Sequence, residues 1–470
     1  MTAPAQPQQP RDDGPVRRLM LLLGPVLALG LAAITLAGGG SAALAVTAAV
    51  TLWCALWWVT EPVAAPVTAL LPLAVFPLTG VLEAREVAHS YGHPLILLLA
   101  GGFMLSRALE KTGAHRRIAL GMVRAFGGHS GRSLVYGFAA AAALTSMWIS
   151  NTATTLMLLP VALAVLERYP DARLRAPLIL AIAYAASVGG LGTPIGTPPN
   201  LVFMGVYEQT TGARYGFTDW MLLGIPVVVL FVPVIALWLA RGLRDTPAAV
   251  LPPLGPWTPA ERRVLIVFTV TAAAWILRTE PFGGWSAWLG LPGANDASVA
   301  LLAVVVLCVI PDGRGSRLLD WHTAERVPWG ALVLFGGGIA LAAAFESSGL
   351  SEVVARRLAG LGELPLPALL LVLVGGIVLL SEIASNTATA VLLMPILAAT
   401  AIGLGVEPAL LMFPAVLAAS VGFMLPVATA PNAIAYGSGA VDGRTMLREG
   451  AVLDLVGVAV VCTVAYVAFS

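Results

Sequence analysis

Ser150–Asn151–Thr152–Ala153–Thr154 recurs as Ser385–Asn386–Thr387–Ala388–Thr389, and each copy runs into an apolar stretch ending at Pro160 or Pro395. The offset is 235 residues. Other landmarks repeat in the same order. Upstream, Gly101–Gly102 with Glu110 and Gly113 is matched by Gly337–Gly338 with Glu346 and Gly349. Downstream, Ser187–Val188–Gly189 is matched by Ser420–Val421–Gly422. Thr197–Pro198–Pro199–Asn200 is matched by Thr429–Ala430–Pro431–Asn432. Matched landmarks at a nearly constant offset imply a duplicated unit.

The repeats lie in a chain built for lipid. Hydrophobic residues make up 58% and charged residues 11% of the 470 residues, too few charges for a water-exposed globular surface. Residues 19–37 carry no charge, and 221–240 are flanked by Asp219 and Arg241. Each is long enough to cross a hydrocarbon core of about 30 Å as a helix. Apolar segments recur near 19–37, 41–59, 63–79, 93–106, 133–149, 151–167, 177–191, 221–240, 264–277, 297–310, 328–344, 366–380, 387–402, 408–427 and 449–469. Several are short or broken by Gly and Pro, which marks re-entrant hairpins or broken helices. Arg17 and Arg18 before the first segment resemble a signal-peptide flank. No small-residue cleavage site stands at the right distance, so the segment is read as a retained helix.

Composition excludes several function classes. Cys54, Cys308 and Cys462 lie in apolar segments without metal-ligand or disulfide spacing. There is no phosphate-binding loop, no dinucleotide fingerprint and no His-Glu-x-x-His. No soluble segment exceeds a loop, so neither a fused enzyme nor a sensory domain is expected, and nothing points to nucleic acid.

Lys and Arg mark the cytoplasmic side. They collect as Arg11, Arg17 and Arg18; as Arg107, Lys111, Arg116, Arg117, Arg124 and Arg132; as Arg241, Arg244, Arg262 and Arg263; and as Arg444 and Arg448. This places the N-terminus inside and the C-terminus outside, so the number of crossings is odd. One helix plus two units of five gives eleven, with two re-entrant hairpins. An odd count per unit inverts the second copy and puts the binding site at the midplane between the halves. The expected fold is all-α and polytopic, with about eleven transmembrane helices and two inverted repeats. Residues 1–18 form a disordered cytoplasmic N-terminus, 19–240 a half with the first repeat, 241–263 a cytoplasmic linker, and 264–470 a half with the second repeat.

A polar triplet at a break between two short apolar segments is costly unless its groups are satisfied. Hydroxyls, amides and the N–H ends of interrupted helices suit a carboxylate, while backbone carbonyls and an Asn amide oxygen suit a desolvated Na⁺. Gly192–Thr193–Pro194–Ile195–Gly196–Thr197–Pro198–Pro199–Asn200 and Leu425–Pro426–Val427–Ala428–Thr429–Ala430–Pro431–Asn432 cannot stay helical throughout and offer such carbonyls. Close helix packing by small polar residues explains one triplet but not two in matched positions. No Arg or Lys lies in either motif, so a dianion would be neutralised by co-bound sodium and helix ends. Trp58 and Trp148 are candidates for a vestibule or an interface. Glu61 and Glu280, each before a Pro, are read as capping or bracing helix starts near an interface rather than as proton carriers. Glu110 and Glu346 are read as matched structural residues.

With Trp57–Trp58–Val59–Thr60–Glu61–Pro62, both Ser-Asn-Thr motifs and both Pro-Asn stretches, the chain resembles the divalent anion:sodium symporter family from about residue 57 to its end. That resemblance implies a bacterial plasma-membrane secondary transporter, not an enzyme. It implies a homodimer with interleaved scaffold and transport domains that works by an elevator-like movement, with Na⁺ as the coupling ion. It further implies a first sodium site at Ser146, Ser150, Asn151 and Gly196, and a second at Ser381, Ala384, Asn386 and Ala428. The substrate carboxylates would meet Ser150, Asn151, Thr152, Ser385, Asn386 and Thr387, with Thr197 and Thr429 nearby. Ala430 and Ser381 depart from the family's common Pro and Thr. The leading expectation is sodium-coupled import of a C4-dicarboxylate such as succinate, malate or fumarate. Sodium-independent exchange, citrate or sulfate transport, and a metalloid permease of similar hydropathy are the alternatives.

Overall fold

The computed structural model describes residues 15–126, 130–167, 171–243, 255–279, 283–358 and 364–469. Arg11, Arg244, Glu280, residues 1–14 of the N-terminal segment and 244–254 of the linker lie outside them. Among the described residues the chain is helical, with one isolated bridge between Pro311 and Arg317.

The first half contains α1 (Pro15–Ala37), α2 (Ala42–Thr60), α3 (Ala65–Thr68), α4 (Leu70–Thr79), α5 (Ala84–Tyr91), α6 (Pro94–Thr112), α7 (Ala114–Phe126), α8 (Gly131–Ser146), α9 (Asn151–Leu166), α10 (Arg175–Gly189), α11 (Pro198–Thr211) and α12 (Phe217–Ala240). The second contains α13 (Pro259–Ile276), α14 (Gly284–Trp288), α15 (Asp296–Val309), α16 (Trp321–Ala324), α17 (Trp329–Ser348), α18 (Leu350–Leu358), α19 (Leu366–Ser381), α20 (Asn386–Gly403), α21 (Ala409–Ala418), α22 (Ala430–Gly437) and α23 (Gly443–Phe469). Helices long and apolar enough to cross a membrane include 17–37, 42–60, 217–240 and 443–469. Their outward faces carry exposed Leu22, Val229, Leu237 and Val467, which a bilayer covers. The protein is a multi-pass membrane protein.

The duplication is visible in the elements. α6 and α17 are each followed by a glycine in the left-handed region, Gly113 at φ 79° and Gly349 at φ 76°. Their amides close on the carbonyls of Glu110 at 3.2 Å and Glu346 at 3.3 Å. A short amphipathic helix follows each, α7 and α18. Next comes a two-limbed hairpin, α8–α9 or α19–α20, and then a helix interrupted in its middle, α10–α11 or α21–α22. Each hairpin's second limb packs on the interrupted helix of the other half: α9 on α22, and α20 on α11. This reciprocal packing draws both hairpin tips toward one place. Because an L-residue in the left-handed region costs about 1 kcal/mol or more, Gly349→Ala is expected to lower the unfolding midpoint in detergent without changing substrate affinity. An unchanged midpoint would place the termination of α17 elsewhere.

The apolar segment 63–79 is helical from Ala65 to Thr79, with an irregular turn at Ala69 beside Pro66 and Pro72. The apolar segment 408–427 is helical to Ala418 and irregular beyond it, where carboxylates of Glu382 and Asp454 take the amides of residues 423–425. Several expectations need correction. Trp58 lines no vestibule and meets no interface; it is 1% exposed and donates to the Ala65 carbonyl at 3.1 Å, fastening α2 to α3. Trp148 stacks on Phe217 at 6.1 Å and meets Phe268 edge-on, away from the cavity described below. Glu61 caps the end of α2, in the left-handed region at φ 42°, rather than bracing a helix start.

On the Lys111 end of α6, Arg107 donates to the Arg326 carbonyl at 2.9 Å, and Lys111 pairs with Asp320. The Lys111 ammonium, with the Thr323 amide, holds the Asp320 carboxyl down to about 2.

Candidate functional site

The two hairpin tips face a single cavity of about 950 Å³. Ser150, Asn151 and Thr152 line one wall and Ser385, Asn386 and Thr387 another, with Gly196, Thr197, Ala384, Ala428 and Thr429 between them. The eight residues expected to meet substrate therefore share one space. Ser146 and Ser381 lie behind it, both fully buried.

Local sequence explains this presentation. Ser150 is the N-cap of α9, and its hydroxyl accepts the Ala153 amide at 3.3 Å. Asn151 is thus the first helical residue, with the unpaired amides of the first turn beside it. Ser385 precedes α20 in the same way, but its hydroxyl makes no capping bond. Two helix N-termini, each offering N–H groups and partial positive charge, therefore open on the cavity.

Behind each tip lies a cradle of backbone oxygens organised by one asparagine. Asn200 Nδ2 donates to the carbonyls of Gly190 and Thr193, both at 2.8 Å. Asn432 Nδ2 donates to those of Gly422 and Leu425, both at 3.0 Å. These bonds pair Gly190 with Gly422, whereas the sequence landmark pairs Gly189 with Gly422. The one-residue slip is absorbed in the first half by a 3-10 turn, Gly190–Gly192.

Both glycines stand where a side chain would fill the cradle. A methyl on Gly190 would lie 2.6 Å from Asn151 Oδ1 and 3.2 Å from the Gly196 carbonyl oxygen. On Gly422 it would lie 3.1 Å from Ser381 Oγ and 3.5 Å from Ala428 Cβ. Two of the four residues expected for each sodium site therefore stand against one glycine in their own half: Asn151 and Gly196 at Gly190, Ser381 and Ala428 at Gly422.

The orphaned polar atoms around the cradles are themselves paired by the repeat. Thr154 and Thr389 Oγ1, Ser187 and Ser420 Oγ, and Asn200 and Asn432 Oδ1 are all buried without a protein partner. Each such group costs about 1–3 kcal/mol if left unsatisfied. Six in matched positions are sustained more easily if small cations or water are part of the working structure. Carbonyl, amide and hydroxyl oxygens around a glycine form a donor set suited to a hard monovalent cation.

Sequence reasoning missed part of the lining. Arg17, Glu61, Phe103, Ser106, Arg107, Glu110 and Pro328 also face the cavity. Arg107 is engaged with Glu110 at 2.7 Å and with the Arg326 carbonyl. Glu110, read as structural, thus has its main-chain oxygen in a helix cap and its carboxylate in the cavity wall. Glu382 and Asp454, buried beside the second cradle, were also missed. The Glu directly after Ser381, next to a triplet in an apolar run, was a visible signal for the first of these.

Residues 55–413 match the family described as citrate transporter. The chain is 35% identical over 443 residues to the sodium-dependent dicarboxylate transporter SdcS of Staphylococcus saprophyticus, covering 89% of this chain and 85% of that protein. It is likewise 35% identical to SdcS of Staphylococcus aureus strain MW2, covering 89% and 84%. Among solved structures, it resembles the Alcanivorax borkumensis YdaH transporter with a TM-score of 0.59 at 18% identity, covering 89% of this chain and 97% of that one. Neisseria gonorrhoeae MtrF is similar with a TM-score of 0.54 at 16% identity, covering 83% of each. Those two likenesses concern the fold alone. With its paired hairpins and matched cradles, the chain belongs to the family of the citrate transporters and the sodium-dependent dicarboxylate transporters, the divalent anion:sodium symporters.

Proposed function

We propose that this protein is a secondary transporter that moves a C4-dicarboxylate, of the succinate, malate and fumarate class, into a bacterial cell together with Na⁺. The observation that carries this reading is the single cavity with a helix N-terminus and a Ser-Asn-Thr triplet on each of two walls. A linear dianion has a carboxylate for each wall. Each carboxylate would accept from first-turn amides, from the Asn side chain and from Ser or Thr hydroxyls. Charge balance then falls to the cations. Of the two arginines in the cavity wall, Arg107 is already paired with Glu110 and Arg17 stands at the start of α1, outside both triplets and both cradles. Sodium in the cradles behind the tips is the nearest counter-charge, with Ser146, Ser150, Asn151 and Gly196 around one ion and Ser381, Ala384, Asn386 and Ala428 around the other. Sodium thereby organises the loops that receive the dicarboxylate, which couples the two fluxes. The relatives' names, which pair sodium with dicarboxylate, support the same reading.

The topology we infer has eleven crossings, a cytoplasmic N-terminus, an external C-terminus and a homodimeric assembly in the plasma membrane. Glu61, Arg107, Glu110 and Pro328 belong to helix ends that the Lys and Arg distribution assigns to the cytoplasm. A cavity that reaches them opens inward, so the conformation is read as the one that releases substrate. Elevator-like movement of the hairpins and interrupted helices would carry the site outward.

Uptake of labelled succinate by the purified protein in proteoliposomes, with and without an inward Na⁺ gradient, tests the proposal. Gradient-dependent accumulation is expected. Sodium-independent uptake that requires internal succinate would replace symport by exchange. No uptake by folded protein, with accumulation of citrate or sulfate instead, would change the substrate.

A further inference from the structure

The two cradles are matched in their glycine and their asparagine but differ in what stands behind them. In the second half, three consecutive amides of the unwound link are turned onto carboxylates. Glu382 Oε1 accepts the Met424 N–H at 2.9 Å and Oε2 the Leu425 N–H at 2.8 Å. Asp454, from α23, accepts the Phe423 N–H at 3.1 Å, and its second oxygen has no protein partner. Both residues are buried, at 3% and 4% exposure. Successive amides pointing at an anion form a concave nest, and the carbonyls between them are left to face elsewhere. The carbonyls that Asn432 holds, Gly422 and Leu425, flank this run of amides on either side.

Among the described residues, the first half shows no such anion behind its cradle. Met147 follows Ser146 as Glu382 follows Ser381. Its carbonyl accepts the Thr193 hydroxyl, and its side chain packs against Gly192. The corresponding backbone keeps its 3-10 turn instead of unwinding. The triplet asparagines differ too. Asn151 Oδ1 accepts the Ser146 hydroxyl at 2.7 Å, whereas Asn386 Oδ1 is buried with no partner.

We propose that Glu382 is a positioning residue that makes the two cation seats unequal: its carboxylate shapes the carbonyls of the second cradle and places a negative charge behind it, so that the second seat binds Na⁺ more tightly and fills first. This rests on the reading that the cradles hold sodium. The charge is close. A methyl on Gly422 would lie 3.5 Å from Glu382 Oε1, as near as it lies to Ala428. An anion roughly 5 Å from a cation, in a medium screened far less than water, changes affinity ten- to hundredfold. The neutral first seat has no such contribution and must give up the Ser146 bond to Asn151 before that oxygen turns to an ion.

The test is a Na⁺ titration of thermal protection on the full-length protein in detergent without substrate, with choline keeping ionic strength constant. Succinate uptake against Na⁺ in proteoliposomes is measured in parallel. Glu382→Gln removes the charge and replaces one of the two oxygens that accept the Met424 and Leu425 amides by an NH2 group. Its half-saturating Na⁺ is expected to rise at least tenfold, with the choline-only unfolding midpoint lowered by the loss of one buried hydrogen bond and the maximal uptake rate at saturating Na⁺ largely kept. Glu382→Asp, which retains the charge one methylene further back, is expected to fall between the two. An unchanged Na⁺ curve in Glu382→Gln overturns the proposal, as does a loss of maximal rate without a shift in half-saturation. Should Glu382→Gln not fold, Glu382→Asp decides: a wild-type Na⁺ curve there overturns the proposal. Wild-type protein that shows no Na⁺ response at all sinks the sodium reading itself, a distinguishable result.

Discussion

Asn386→Ala is expected to reduce sodium-driven uptake at least a hundredfold while leaving the fold intact. Asn386 is the first residue of α20 and lines the cavity, with its Oδ1 buried and unpartnered. On the proposed reading, alanine at this position removes a cation ligand and an amide donor to substrate carboxylate together. Hydrogen bonds to charged groups contribute about 1.5–3 kcal/mol each, so losing two such interactions spans two or more powers of ten. No described residue hydrogen-bonds that oxygen, which argues for retained stability. Asn151→Ala is expected to be equally inactive but less stable, because it also removes the acceptor of the buried Ser146 hydroxyl. Measured uptake above a tenth of wild type in folded Asn386→Ala would show that the second triplet does not bind the coupled species.

Much of this architecture was legible because the membrane makes polarity conspicuous. A Ser-Asn-Thr in an apolar run has no bland explanation when it occurs twice, and the short segments around it, 133–149 and 366–380, are the first limbs of the two hairpins. The paired Gly113 and Gly349 caps follow from the same repeat. Pairings across the chain were not legible. Glu382 meets Leu425 and Asp454 meets Phe423 only after α19, α21 and α23 have packed, and no local pattern reports such partners. The slip that aligns Gly190 rather than Gly189 with Gly422 arises because one helix tightens into a 3-10 turn where its counterpart unwinds. Trp58 was misplaced for a related reason. An aromatic residue near a helix end suits an interface by composition, but this one is enclosed by α3. Arg107 and Glu110 reached the cavity wall because α6 runs beside the hairpin tip, a fact of tertiary packing.

Gly190→Ala is expected to abolish coupled uptake at no more than the stability cost of Asn151→Ala, since displacing the Asn151 oxygen gives up its bond to the Ser146 hydroxyl; this is the second large loss. The backbone at Gly190 is ordinary right-handed helix, φ −57° and ψ −20°, which alanine adopts without strain. The added methyl would instead sit 2.6 Å from Asn151 Oδ1 and 3.2 Å from the Gly196 carbonyl oxygen. That is the volume a dehydrated Na⁺ between those oxygens would use. Its nearest neighbour is the end of an Asn side chain, which can rotate away, so the protein can accommodate the methyl while the cradle cannot keep its shape. Gly189→Ala provides the contrast: its methyl would run into the Ala143 backbone where α8 and α10 pack, and a folding defect is expected there. Gly422→Ala should be milder than Gly190→Ala, since its closest approach is 3.1 Å, to the Ser381 hydroxyl. We expect it to weaken Na⁺ activation roughly tenfold rather than eliminate transport. Uptake against Na⁺, read beside unfolding midpoints in choline, separates the three variants. If Gly190→Ala transports with a normal Na⁺ curve, the first cradle is a packing feature, and the coupling ion must bind elsewhere.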